Sequence, residues 1–312
     1  MMAQDTNRTT LRDLLRRGQI FVPCIWDSFT ATAAELSGFP ATLLSGGALS
    51  GSLGLPDIGL ITADDLVTRT QFVCPDSAIP CIIDADDGFG ESPLCAYRLA
   101  RRLAEAGAMG LTLDDTTGLR GYNRWGEDFR GGAQDGKMRH PVISREQWLA
   151  KIRAGLEATR GTDCLLIART EAKLQYGLDE AIAHCRQALD LGAEMTLIIG
   201  LKTLEEARVV AERVPGWKMW PDVMTTDGVP DVRLEDIAPL GFNLVTIHIF
   251  EKASMYGMLL FGKKTFADRT TVFCDTHDSG LSEEDKKKSI MVNGCLTGAT
   301  DWLEMEKEFW RT

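Results

Sequence analysis

Eight short apolar runs recur along the chain, each followed by a polar loop and a stretch with helical spacing, and this rhythm is the strongest constraint on the fold. The runs cover residues 20–25, 41–45, 79–84, 109–113, 164–168, 194–199, 219–224 and 243–248. Segments such as REQWLAKIRAGLEATRG between them repeat apolar residues at the period of an α-helix. Eight alternating β and α units predict an α/β protein with a (β/α)8 TIM barrel. A doubly wound open sheet is the alternative, but no GxGxxG turn follows the first run.

Two regions interrupt the rhythm. Residues 116–143 form a long polar segment rich in glycine, and a connection of this length in a compact domain is usually a functional lid or disordered. Residues 265–312 read as helices outside the barrel. We therefore predict a single barrel domain over 1–312 with a C-terminal helical extension over 265–312.

The composition of the chain limits which partners and which cellular location are expected. The formal net charge of −11 argues against partners such as nucleic acids and membrane surfaces. The N-terminal residues lack the apolar core of a signal peptide, and no apolar run approaches the ~20 residues of a membrane span, so a cytoplasmic location is predicted. Eight cysteines without CxxC pairs indicate reduced, mostly buried thiols, and core packing is the expected role of Cys24 and Cys81.

Carboxylates follow several strands. In a barrel of this kind the active site lies at the carboxyl ends of the strands, so these side chains should meet at one mouth. Crowded carboxylates need a cation, and oxygen ligands suit Mg²⁺, with Mn²⁺ as the alternative. A single aspartate at a strand end is more often a loop or helix cap, and Asp27 fits that role equally well. The predicted metal ligands are Asp57, Asp84, Asp86 and Asp114.

Other side chains at the predicted mouth could bind a substrate anion. The planar guanidinium of Arg169 matches a carboxylate, and Ser45 with the amides of Gly46 and Gly47 could hold another oxygen. Thr225 follows the seventh run.

The histidines indicate a functional site less strongly than the carboxylates do. His248 ends the eighth run, but a lone histidine is often a core residue, so both interpretations stay open. The other three histidines, His140, His184 and His277, lack metal-ligand spacing and are expected at the surface.

Three motifs in order resemble the isocitrate lyase/phosphoenolpyruvate mutase superfamily over roughly residues 20–262. WDSFTATAAELSGFPATLLSGGALSGSLGLPD resembles the opening of that family. DADDGFG resembles its DADTGFG metal motif, with Asp87 in place of threonine. IARTEA followed by GLDEAI resembles its ARTDA…GLDEAI.

The resemblance implies a fold, a metal and an assembly. Members form (β/α)8 barrels, usually homotetramers whose last helices swap between subunits, and bind Mg²⁺ beside an α-oxyacid. Carried over by residue, Asp84 would contact the metal directly, and Asp57 and Asp86 would bind its waters. Asp114 stands where glutamate is common.

The same resemblance implies residues that bind the substrate. Ser45 and Gly46 would grip the oxyacid, and Arg169 would pair with a carboxylate. These roles agree with those expected from the residue types alone.

Departures from the family bear on the reaction. The lyases carry KRCGH on their mobile loop, with its cysteine as proton donor, but no cysteine lies between Cys95 and Cys164. The mutase motif EDKxxxxxNS is not matched by DDTTGLRGYNR, and Ile199 stands where lyases tend to have glutamate. A decarboxylase branch that also lacks the cysteine uses a histidine near the end of the eighth strand, which favours His248.

The leading expectation is a Mg²⁺-dependent lyase. It would cleave a C–C bond in a small 2-oxo or 2-hydroxy acid, by decarboxylation or retro-aldol-type cleavage through a metal-held enolate. Arg169, His248 and Asp57 are the predicted catalytic residues, and Thr225 joins Ser45, Gly46, Gly47 and Arg169 as substrate-binding residues. The alternatives are a C–P mutase or hydrolase acting on phosphonopyruvate, and a barrel without catalysis that serves in binding or assembly.

Overall fold

The computed structural model describes residues 9–75, 77–117, 142–223, 225–226, 228–273 and 299–311. The strands are β1 (Ile20–Ile25), β2 (Thr42–Leu44), β3 (Cys81–Asp84), β4 (Gly110–Leu113), β5 (Leu165–Thr170), β6 (Met195–Ile198), β7 (Trp217–Trp220), β8 (Thr225–Thr226), β9 (Val229–Pro230) and β10 (Phe242–Ile247). The first helices are α1 (Leu11–Arg17), α2 (Ser28–Leu36), α3 (Gly46–Ser52), α4 (Ala63–Val73), α5 (Pro93–Glu105) and α6 (Arg145–Thr159). They are followed by α7 (Ala172–Tyr176), α8 (Leu178–Asp190), α9 (Leu204–Arg213), α10 (Leu234–Ile237), a 3-10 turn (Ala238–Leu240), α11 (Phe250–Asp268) and α12 (Ala299–Phe309).

Eight parallel strands close into a barrel in the order β1-β10-β7-β6-β5-β4-β3-β2. The ring closes where β1 pairs with both β10 and β2. Strands β8 and β9, which lie between β7 and β10 in the chain, form a separate antiparallel pair. The predicted (β/α)8 barrel is confirmed, and each predicted strand has a counterpart in the ring.

The seventh strand lies earlier than its apolar run indicates. It ends at Trp220, whereas the sequence predicts a strand over 219–224. Pro221 cannot donate a backbone hydrogen bond to a parallel neighbour, so pairing stops before it. Asp222 therefore lies just beyond the carboxyl end of β7, at the level where a barrel carries its site.

The core has an inner and an outer layer. Alternate residues of β1, namely Ile20, Val22 and Cys24, join a buried cluster with Ile167 and Leu244 of other barrel strands. Side chains of a strand alternate between its two faces, so these residues fill the barrel interior. The opposite faces of the strands pack against the surrounding helices.

Local sequence signals set where the helices begin. Thr10, Thr62 and Ser144 each accept a hydrogen bond from the backbone three residues on, and the acidic or amide side chain at that position accepts one in return. Asp27 caps α2 in the same reciprocal way with Thr30. These capping boxes satisfy amide groups that a helix start leaves unpaired. For Asp27, the capping interpretation is the one the structure supports.

The chain divides into two compact units, residues 1–250 and 251–312. The described part of the second unit holds most of α11 and all of α12. The predicted extension over 265–312 begins inside α11, because the helix after the last barrel strand continues unbroken to Asp268. Among the described residues, no helix combines the length and apolarity needed to cross a membrane.

Candidate active site

The loop after β3 turns sharply at the motif DADDGFG. Asp86 and Phe89 have φ angles of 50° and 56°, and Gly88 has one of 86°, all in the left-handed region. A Cβ on Gly88 would lie 3.0 Å from Ala96 Cβ, so the turn needs glycine for space as well.

A buried lysine holds this loop from behind. Lys151 of α6 donates from Nζ to the Asp87 carbonyl oxygen over 2.8 Å, and its side chain is almost fully buried. A helix residue distant in the chain thus supports the turn that presents the aspartates.

Arg169 lies among the carboxylates at the ends of β3, β4 and β5. Its Nη1 donates to Asp84 Oδ1 over 3.1 Å, and its Nη2 donates to Glu171 Oε1 over 2.6 Å. Its Nε lies 3.8 Å from Asp114 Oδ2. Burial lowers the pKa of Arg169, but the surrounding carboxylates outweigh that and hold the pKa well above its ordinary value. The guanidinium is therefore a permanent cation at the centre of this acidic cluster.

Asp84 and Asp114 are fixed by further hydrogen bonds. The Thr112 hydroxyl donates to Asp84 Oδ1 over 2.8 Å. Asp114 Oδ1 accepts from both the backbone and the hydroxyl of Thr116, over 2.9 and 2.7 Å. The Asp114 amide donates to the Asp86 carbonyl over 2.8 Å, which ties the loops after β3 and β4 together. Both carboxylates are thus held in place before any ligand binds.

The turn after β2 lies against two more of the predicted carboxylates, those of Asp86 and Asp57. Ser45 caps α3 by accepting from the backbone amide of residue 48 over 3.3 Å. A Cβ added to Gly46 would lie 3.1 Å from Asp86 Oδ2, and one added to Gly47 would lie 2.7 Å from Asp57 Oδ2. The two glycines therefore let the carboxylates of Asp86 and Asp57 approach the backbone closely.

The donor set fits a hard divalent cation. Asp84, Asp114 and Glu171 surround Arg169, and their combined negative charge exceeds its single positive charge. Asp86 and Asp57 lie beside the turn after β2. Carboxylate oxygens match Mg²⁺ or Mn²⁺ better than a softer metal. The predicted ligands that would hold it are Asp57, Asp84, Asp86 and Asp114.

A second layer of buried polar groups lies behind Arg169. The Thr170 hydroxyl and the Glu171 amide donate to Asp115 over 2.5 and 2.8 Å. Burial raises the pKa of Asp115 to about 7, against the hydrogen bonds from Thr170 and Glu171, which lower it. His184 lies 3.8 Å from Asp115 Oδ2 and packs against Trp148.

The prediction that His184 lies at the surface is wrong. Its side chain is 2% exposed, because α8 buries Ala181, His184, Cys185 and Ala188 on one face. These positions follow the i, i+3, i+4, i+7 pattern of an apolar helix face. His140 and His277 lie outside the described residues.

The opposite side of the mouth carries a group of which the sequence indicated only His248. Cys24 Sγ lies 3.3 Å from His248 Nε2, and that nitrogen lies 3.1 Å from Asp222 Oδ2. The Thr246 hydroxyl donates to Asp222 Oδ1 over 2.9 Å. His248 thus faces partners from β1 and from the end of β7. The early end of β7 at Pro221 is the signal that could have located Asp222.

Thr225 and the predicted lid are the remaining predicted parts of the site. Thr225 is exposed in the short strand β8, where it pairs with Pro230. Most of the predicted lid, residues 118–141, lies outside the described residues. At its two ends, Thr116 and Val142 form an antiparallel bridge.

Comparisons with known proteins agree with this architecture. The family model described as phosphoenolpyruvate phosphomutase matches residues 11–259. A 2-methylisocitrate lyase of Aeropyrum pernix is 32% identical over 75% of this chain and 71% of its own length. An oxaloacetate decarboxylase of Rhodopseudomonas palustris is 31% identical over 67% of this chain and 69% of its own. A structure of phosphonopyruvate hydrolase with oxalate and Mg²⁺ superposes with a TM-score of 0.71 at 22% identity, over 91% of this chain and 97% of that one.

Proposed function

Because the chain belongs to the phosphoenolpyruvate phosphomutase family, we propose that it is a Mg²⁺-dependent lyase that cleaves a C–C bond in a small 2-oxo or 2-hydroxy carboxylic acid. Family membership confirms the resemblance seen in the sequence and the expectation of an enzyme of the isocitrate lyase/phosphoenolpyruvate mutase type. Decarboxylation or retro-aldol-type cleavage is the proposed reaction. The observation that carries it is the convergence of Asp84, Asp86 and Asp114 on Arg169.

Asp84 is the proposed direct ligand of the metal, with Asp57, Asp86 and Asp114 completing its surroundings. When bound, Mg²⁺ would stabilise negative charge that develops on the substrate. Mn²⁺ is the alternative ion. The hydrogen bonds that fix Asp84 support this role, because a preorganised carboxylate needs little rearrangement on binding.

Arg169 is the proposed partner of a substrate carboxylate. Its buried Nε makes no hydrogen bond within the described residues, so one donor of the guanidinium is uncommitted. Ser45 and the amides of Gly46 and Gly47 are proposed to bind another substrate oxygen, and Thr225 to contact the substrate.

The proton must come from a group other than a lid cysteine, since no cysteine occurs between Cys95 and Cys164. His248, or a residue of the segment after β4, is proposed to transfer it. The place of His248 just beyond the carboxyl end of β10 supports this role, because barrel enzymes carry their reacting groups at that end.

A time course followed by NMR tests this proposal. Purified protein with Mg²⁺ would be given oxaloacetate, 2-methylisocitrate, isocitrate, a dialkylmalate and phosphonopyruvate, with EDTA as the control. We expect metal-dependent cleavage of a C–C bond in one of the carboxylic acids. Turnover of phosphonopyruvate alone would favour C–P chemistry, and silence across the panel would favour a binding or assembly role.

We further propose that the chain assembles as a homotetramer, as the family resemblance implies, and that it is cytoplasmic. Light scattering coupled to size-exclusion chromatography measures the mass of the assembly. A mass four times that of the 34.3 kDa chain is expected, and a monomer would contradict it.

A further inference from the structure

Cys24, Asp222 and His248 form a compact group on the side of the mouth away from Arg169. Their ligand atoms, one from each residue, all lie within 4.8 Å of one another. They come from β1, from the segment after β7 and from the segment after β10. We propose that this group is a second metal site, for a borderline transition metal such as Zn²⁺ or Co²⁺.

The contacts favour a shared ion over a catalytic relay. In a nucleophile–histidine–acid relay, the acid holds one ring nitrogen and the nucleophile faces the other. Here Cys24 Sγ and Asp222 Oδ2 both lie near Nε2 of His248, at 3.3 and 3.1 Å. The sulfur, nitrogen and oxygen atoms therefore surround one point, which is the arrangement of three ligands around a single ion.

Two of the three separations, from sulfur to nitrogen and from nitrogen to oxygen, are close to those of tetrahedral coordination. With Zn–S near 2.3 Å and Zn–N near 2.0 Å, tetrahedral angles place sulfur and nitrogen about 3.5 Å apart, and nitrogen and oxygen about 3.3 Å apart. The observed values of 3.3 and 3.1 Å are within a few tenths of an ångström. A thiolate and an imidazole select zinc-like ions over Mg²⁺, so this site and the aspartate cluster would differ in their metals.

Exposure leaves a fourth position for water or another ligand. Cys24 is 1% exposed, whereas the side chains of His248 and Asp222 are 42% and 38% exposed. Three protein ligands with one open side is the arrangement of an accessible zinc site rather than a closed structural one. The proposed function assigns proton transfer to His248, so an ion bound to its Nε2 would inhibit that step.

Titration of the metal-stripped, full-length protein with Co²⁺ tests the site independently of turnover. Coordination by a thiolate gives a charge-transfer absorption in the near ultraviolet. We expect this band in the wild type and its loss in Cys24→Ser. His248→Gln should weaken Co²⁺ binding by at least about tenfold, since even partners outside the coordination shell change affinity by that factor.

Two controls separate this site from others. Cys81→Ser removes another buried thiol of a barrel strand and should leave the band unchanged. Asp84→Ala, which removes the proposed direct ligand of Mg²⁺, should also leave the band unchanged. A failure of the site at Cys24 can therefore be told apart from a failure of the proposed function. Absence of the band in the wild type, or its survival in Cys24→Ser, would overturn the proposal. If Cys24→Ser does not fold, an unchanged Co²⁺ affinity in His248→Gln would do so.

Discussion

The two sides of the barrel mouth differ in how deeply their charged side chains are buried. Around Arg169, the side chains of Asp84 and Arg169 are 15% and 14% exposed, and that of Asp114 is fully buried. Around His248, the histidine and Asp222 are about 40% exposed. Burial strengthens electrostatic interactions and makes an unpaired charge costly. The first side should therefore respond to mutation with large effects, and the second should exchange ligands more readily.

Loss of Asp84 should have the largest effect on activity. Asp84→Asn keeps the shape of the side chain but removes a negative charge from the proposed metal position. We expect turnover to fall by at least about a thousandfold, measured by NMR with the substrate that the panel identifies. Asp64→Asn, on the exposed start of α4, is the control and should retain activity. Metal-dependent turnover in Asp84→Asn would contradict the assignment.

Removal of the Arg169 charge should destabilise the fold. Arg169→Met leaves the buried carboxylates of Glu171 and Asp114 and the largely buried carboxylate of Asp84 facing one another, and breaking a buried pair costs about 3–5 kcal/mol. Urea unfolding measures the loss in the free energy of unfolding. Arg101→Met, which breaks an exposed pair with the glutamate four residues on, should leave the free energy of unfolding nearly unchanged. Equal losses in the two variants would show that burial does not distinguish these ion pairs.

A smaller effect should come from the glycine turn. Gly47→Ala places a Cβ 2.7 Å from Asp57 Oδ2, so the carboxylate must move away from the cluster. We expect Mg²⁺ affinity to fall by about tenfold, measured by calorimetry. Gly51→Ala lies in the same helix with no atom within 4 Å of the added Cβ, and should leave the affinity unchanged. Equal affinities in both variants would argue against a metal role for Asp57.

The sequence predicts much of the fold and of the acidic side of the mouth. Apolar runs identify the eight strands, and carboxylates that follow parallel strands must meet at one end of a barrel. The motif DADDGFG indicates both the aspartates and the turn at Gly88. These features depend on local pattern and on topology, which a single sequence records.

The other side of the mouth depends on contacts between distant segments. Cys24 reads as a core residue of β1, and only the register of β1 beside β10 brings it to His248. Lys151 reads as one residue of an amphipathic helix, although it is buried against the loop after β3. Such pairs are far apart in the chain, so neither spacing nor composition indicates them.

The smallest predicted effect is a dependence of stability on pH, which arises from the buried polar groups behind Arg169. Burial lowers the pKa of His184, so the folded protein keeps the ring neutral while the unfolded chain binds a proton below about pH 6.5. Stability should therefore fall as the pH drops below that value. The raised pKa of Asp115 acts in the opposite direction, since stability from that group is lost as the pH rises towards 7.

The difference between the wild type and His184→Gln reports the histidine together with its coupling to Asp115, whose Oδ2 lies 3.8 Å from His184 Nε2. Urea unfolding at pH 7.5 and at pH 5.5 gives the free energy of unfolding of each. Between these two conditions, we expect the wild type to lose more of its free energy of unfolding than His184→Gln loses. If the free energy of unfolding changes equally with pH in the wild type and in His184→Gln, the folded protein accommodates His184 in either protonation state.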